Sequence, residues 1–146
     1  MKWEDIERVN KKLATVDVKG KKYVQVNERV KAFREICPNG SITTELVKFS
    51  EGRCIIKATV TDENGRVLGT GYAEEKENST MINKTSFLEN CETSAIGRAI
   101  GTATAIGIDG SMASAEELAT AILNQNKMQD GVLNAPTYQQ RGGYNR

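Results

Sequence analysis

The chain has 146 residues, 38% hydrophobic, 27% charged and only 5% aromatic, with a net charge of +1. That suits a single domain with a modest core, and no run of about 18 apolar residues exists to cross a membrane. There is no histidine, which removes the commonest general base and every Ser/His or Cys/His catalytic pair.

The start, MKWEDIERVN, is charged and lacks the apolar stretch of a secretory signal, so a cytoplasmic protein is expected. Apolar positions at Trp3, Ile6, Val9 and Leu13 predict a short amphipathic helix. Lys19-Gly20-Lys21-Lys22 reads as an exposed turn. A second helix is predicted from Asn27 to Cys37, with Val26, Val30, Phe33 and Ile36 on one face and charges on the other. Pro38-Asn39-Gly40-Ser41 ends it.

Three strands follow. Ser41 to Phe49 is rich in threonine and branched residues. Arg53 to Thr61 alternates, with Cys54, Ile56, Ala58 and Val60 on one face and Ile55, Lys57, Thr59 and Thr61 on the other. Asp62-Glu63-Asn64-Gly65 is a hairpin signal, because Asn-Gly suits turn positions with positive φ. Val67 to Glu75 completes an antiparallel meander. Gly69 and Gly71 within it predict a bulge or a close backbone approach.

A polar loop, Glu77 to Lys84, leads to a long helix from about Ser86 to Ile106, with Ser86 and Glu89 placed for a capping box. Its middle is crowded with small residues: Ser94, Ala95, Gly97, Ala99, Gly101, Ala103 and Ala105. Glycine costs a helix roughly 1 kcal/mol relative to alanine, so Gly97 and Gly101 imply close packing. Arg98 sits among them. After Asp109-Gly110-Ser111, Ser114 opens a last helix to about Asn126, with Glu117 in the capping-box position. From Met128 no periodicity survives. Residues 1–127 thus read as one domain and 128–146 as a flexible polar tail, whose Arg141, Tyr144 and Arg146 form an RGG-like element. The fold class expected is α+β: a three-stranded antiparallel meander with the small-residue helix packed across it and short helices at both ends.

The stretch Glu92-Thr93-Ser94-Ala95-Ile96-Gly97-Arg98-Ala99-Ile100-Gly101, with Lys84 before it and Gly107-Ile108 after, resembles the signature helix of phage single-strand DNA annealing proteins, the Sak and Erf groups. These are similar in turn to the Rad-fifty-two annealing domain. The resemblance runs from about Tyr23 to Ala119. It implies homologous recombination and repair in a bacteriophage setting, with a homo-oligomeric ring or filament holding single-stranded DNA. It also implies a DNA groove lined by basic residues at the positions of Lys84 and Arg98.

A protein that holds nucleic acid without reading sequence needs cations for phosphates and flat surfaces for bases. Lys57 projects from the central strand and joins Lys84 and Arg98 as the leading candidates. Arg53, Lys48 and Arg66, at strand ends or turns, could extend a groove, and Tyr72 could stack a base. The ordinary alternatives are solvated charges, strand packing for Tyr72, and for Arg98 an ion pair with Glu92, Glu89 or a sheet carboxylate. Charge is distributed unevenly, +4 over residues 1–53 and −3 over 54–146, which permits a local basic surface.

Cys37, Cys54 and Cys91 are an odd, scattered set without a CxxC pair and read as buried thiols. No phosphate-binding GxxxxGK[ST] loop is present. No enzyme, cofactor or metal is therefore expected. The main reading is strand annealing, with a single-strand binding protein or a nuclease as candidate partners of the tail. The rivals are a non-catalytic protein-interaction or counter-defence module on the same fold, and a metal nuclease built on Glu74, Glu75 and Glu77.

Overall fold

The computed structural model describes residues 1–109 and 111–133. The expected tail elements Arg141, Tyr144 and Arg146 lie outside the described residues. The elements in order are α1 (Trp3–Asn10), β1 (Thr15–Val18), β2 (Lys21–Val24), α2 (Val26–Ile36), β3 (Ser41–Ser50), β4 (Arg53–Thr61), β5 (Val67–Lys76), α3 (Asn83–Thr104) and α4 (Ala115–Leu133). The class is α+β, as expected. β3, β4 and β5 form one antiparallel sheet in that order, and β1 and β2 form a separate hairpin. No helix of the described residues is long and apolar enough to cross a membrane.

Alternation along β4 sorts the sheet into two faces. Cys54, Ile56, Ala58 and Val60 are buried, and the residues between them are half-exposed. α3 lies across β5 and β4 on the buried side. Gly69 and Gly71 make that approach possible. A Cβ on Gly71 would sit 2.4 Å from the Ala99 nitrogen, and one on Gly69 would sit 2.8 Å from the Ala103 backbone. The register shift between Val60 and Thr61 falls opposite the same stretch, so this part of β5 is both irregular and closely approached. The helix answers with its own small residues: Ala95 and Ala99 are fully buried. A different side of α3 meets α2, where a Cβ on Gly97 would touch Val26. The glycine and alanine pattern is thus explained by two packing surfaces.

Asp62 organises the β4–β5 turn by accepting hydrogen bonds from the Asn64 and Arg66 amides, while Gly65 takes a positive φ of 79°. The capping box of α4 forms as the sequence implied. The Glu117 amide donates to Ser114 Oγ at 3.3 Å, and the Ser114 amide donates to Glu117 Oε2 at 3.2 Å.

Three details differ from expectation. Lys19-Gly20-Lys21-Lys22 is more than a turn: it belongs to the β1–β2 hairpin, whose four-residue strands leave too few alternations to register in the sequence. α3 begins at Asn83, where the amide donates to Thr80 Oγ1, and Ser86 marks a break inside it at φ −142° rather than its cap. α4 continues past Asn126 to Leu133.

Cys37, Cys54 and Cys91 are buried free thiols. Burial pushes the Cys91 thiol up to about 12, and it sits 3.4 Å from the Ala73 carbonyl oxygen.

Candidate nucleic-acid interface

The face of the sheet turned away from α3 is built in cross-strand rows. From one end they run Ser50–Arg53–Lys76, Lys48–Ile55–Glu74, Glu45–Lys57–Tyr72 and Thr43–Thr59–Thr70. Four of the seven candidate residues, Lys48, Arg53, Lys57 and Tyr72, therefore meet on one surface. Among the described residues, no helix packs broadly against it. Each row lies about 7 Å from the next along the strands.

Within this face, Lys57 Nζ stands 5.9 Å from the centre of the exposed Tyr72 ring. That contact holds the ammonium over the ring and leaves the outer ring surface open. Arg53 donates from Nε to Glu74 Oε1 at 2.6 Å and from Nη2 to Glu74 Oε2 at 3.0 Å. The pairing holds the Glu74 carboxyl below its ordinary range and raises Arg53 further. Both side chains are solvent-accessible, so the pair fixes geometry more than it stabilises the fold. A β-bulge between Leu46 and Lys48 shifts the alternation of β3 and turns Lys48 onto this face beside Ile55.

Lys84 and Arg98 are elsewhere. Lys84 is exposed in the first turn of α3, in the helical layer. Arg98 points toward α4, with Nη1 3.6 Å from Glu117 Oε2. It borders a cleft between β5 and α4 lined also by Ala73, Glu75, Thr120 and Asn124. Its partner is thus a carboxylate on α4, not Glu92, Glu89 or a sheet residue. Glu92 instead accepts from Thr44 Oγ1 at 2.7 Å. Burial raises the Glu117 pKa, and Arg98 opposes that rise. Arg66 sits exposed at the end of the β4–β5 turn.

Sequence reasoning passed over two basic features. Lys76 joins Arg53 in a row and is recognisable only once register is known. Lys19, Lys21 and Lys22 ride on the exposed β1–β2 hairpin, where the KGKK run was the available signal.

The acidic cluster does not converge. Glu74 and Glu75 face opposite sides of β5. Glu74 pairs with Arg53, while Glu75 accepts from Asn83 Nδ2 at 2.8 Å. Among the described residues, no group of cysteines and carboxylates is arranged to hold a metal ion.

Residues 30–103, just over half of the chain, match the family described as Slr1353 N-terminal dsRNA-binding domain-like. The chain belongs to that family. The Slr1353 N-terminal dsRNA-binding domain-like region spans α2 from Val30, the whole three-stranded sheet, and α3 to Ala103. It contains the open sheet face and excludes α1, the β1–β2 hairpin and α4. No curated protein and no solved structure matches the chain.

This membership overturns the resemblance to Sak, Erf and Rad-fifty-two-like annealing proteins. The features that carried the resemblance were a meander followed by a small-residue helix with a central arginine. The structure accounts for each by packing: the small residues by Gly69, Gly71 and Val26, and Arg98 by its ion pair with Glu117. In this chain the pattern marks a helix laid closely on a sheet. The ring or filament, the recombination role and the phage setting rested on that resemblance and lose its support.

Proposed function

We propose that this protein is a non-catalytic nucleic-acid-binding module whose ligand is double-stranded RNA, held on the open face of the sheet. The observation that carries the proposal is the family match, whose description likens its members to double-stranded-RNA-binding domains and whose span covers the strands that build this face. The chemistry of the face supports it. Lys48, Arg53, Lys57 and Lys76 outnumber Glu45 and Glu74, which leaves a cationic surface on a nearly neutral chain. Thr43, Thr59 and Thr70 add hydroxyls that can donate to phosphate or meet a ribose 2′-hydroxyl. Duplex RNA is recognised mostly through shape, phosphates and 2′-hydroxyls, and a flat face of lysines and threonines offers partners for such contacts.

The test is fluorescence anisotropy with a labelled RNA duplex of about 20 base pairs, the matching DNA duplex, and the single strands of each. The proposal expects the RNA duplex to bind most tightly. An unlabelled RNA duplex of unrelated sequence should compete equally well. Failure to bind any duplex at low salt, or a preference for single strands, would overturn it.

A further inference from the structure

β3 is an edge strand of ten residues, and among the described residues its outer side meets no other strand. The opposite edge, β5, faces α4 across the cleft bordered by Arg98, whereas the helix contacts of β3 are few: Thr44 donates to Glu92 and Phe49 stacks on Phe87, both on α3. It is also conspicuously apolar for an edge. Leu46 is 55% exposed, and Val47 and Phe49 are each 54% exposed. Leu46 and Phe49 lie on the α3 side of the sheet, opposite Ile56 and Cys54, and both stay more than half exposed there. Phe49 stacks on Phe87 of α3, with ring centres 5.5 Å apart. An exposed, apolar edge of this length is a template for pairing with another strand.

We infer that β3 pairs antiparallel with β3 of a second copy about a two-fold axis between Leu46 and Val47, joining two three-stranded sheets into one of six strands. Charge complementarity selects this occupant. The axis sets Glu45 opposite Lys48 of the second copy, twice per dimer, and Thr44 opposite Phe49. An unbroken strand would place the members of each such pair on opposite faces, because their sequence separation is odd. The bulge between Leu46 and Lys48 corrects this by one residue. Glu45 and Lys48 then both face the open side, opposite Lys57 and Ile55, and Thr44 and Phe49 both face the helical side, opposite Ala58 and Cys54. A lysine and a bulge on an edge often serve to prevent pairing. Here they are the two features that make the strand complementary to itself. An isologous contact of this kind closes at two copies.

The dimer stands independently of the RNA proposal, and its test needs no ligand. Sedimentation velocity and light scattering on the full chain should give a species of twice 16.0 kDa at high micromolar concentration. Glu45→Lys alone and Lys48→Glu alone each set like charges opposite one another and should weaken self-association roughly tenfold or more. The double variant E45K/K48E should restore it. An equimolar mixture of the two single variants should form a heterodimer, since one then presents two lysines and the other two glutamates. Circular dichroism confirms that each variant folds. A wild type that stays monomeric, a larger assembly, or a dimer indifferent to these changes would overturn the inference.

Discussion

Arg29 is fully buried and yet charged. Its guanidinium donates to the Gly97 carbonyl at 2.8 Å and to those of Met112, Gly107 and Ala113 at 3.3–3.4 Å. It therefore ties α2 to α3 and to the segment that leads into α4. Burial pushes its pKa below the ordinary arginine value, and Glu117 and Glu116 oppose the shift. Replacing it with methionine would strand several buried carbonyls, at a cost of about 3 kcal/mol in a urea melt. Arg29→Lys should recover little, since an ammonium lacks the planar fork that reaches these oxygens together. A loss near zero for R29M would contradict this role. The residue was legible in principle. Three positions after Val26 and four before Phe33, it shares their helical face, although the charges of α2 were assigned as a group to the opposite side.

Glu75 gives a pH prediction at the same scale. Burial raises its pKa above the ordinary 4.5, and the Asn83 hydrogen bond only partly offsets this. An acid whose folded pKa lies above its unfolded value destabilises the fold at neutral pH. The cost disappears as pH falls through the folded pKa toward 4.5. Glu75→Gln should therefore melt higher than wild type at pH 7, with the difference shrinking on acidification through that window. Comparing two chains cancels Asp5, Glu35 and Glu74, whose lowered pKa values act in the opposite direction.

At the scale of elements, the contact between α3 and β5 decides how the helix lies. The two glycine sites should respond differently to alanine. At Gly71 the new methyl group would meet helix backbone at 2.4–2.9 Å, which cannot yield without moving the helix. Gly71→Ala should cost about 3 kcal/mol. At Gly97 its nearest neighbours all belong to the Val26 side chain, the closest at 2.7 Å, and alanine gains roughly 1 kcal/mol of helix propensity. Gly97→Ala should cost markedly less. Thermal melts of the two variants check the order, and equal losses would contradict it.

Elements of this kind were legible wherever a local rule acts alone. Alternation marked β4, Asn-Gly marked the β4–β5 turn, and Ser114 with Glu117 marked the start of α4. The misses arose where context governs. The start of α3 is set by Thr80, in the preceding loop, rather than by Ser86. The β1–β2 hairpin is too short to announce itself by period.

Across the whole molecule, function was less legible than fold. A net charge of +1 hides a cationic surface, because Lys48, Arg53, Lys57 and Lys76 are scattered in sequence and meet only through strand register. Lys84 and Arg98 looked equally suitable, and topology places them in the other layer, with Arg98 engaged by Glu117. The small-residue helix that suggested an annealing protein is accounted for by its packing on β5 and α2.

The central claim is that the open face of the sheet is the nucleic-acid interface. Its most direct test compares charge removal on the two layers. Affinity for an RNA duplex would be measured across a salt series for wild type, the triple variant K48Q/K57Q/K76Q and the single variant Lys84→Gln. Each lost phosphate contact lowers the salt slope by about 1. The account predicts a drop of about 2–3 in the slope and a large loss of affinity for the triple variant, with Lys84→Gln close to wild type. An unchanged triple variant alongside a weakened Lys84→Gln would contradict it and move the interface to the helical layer.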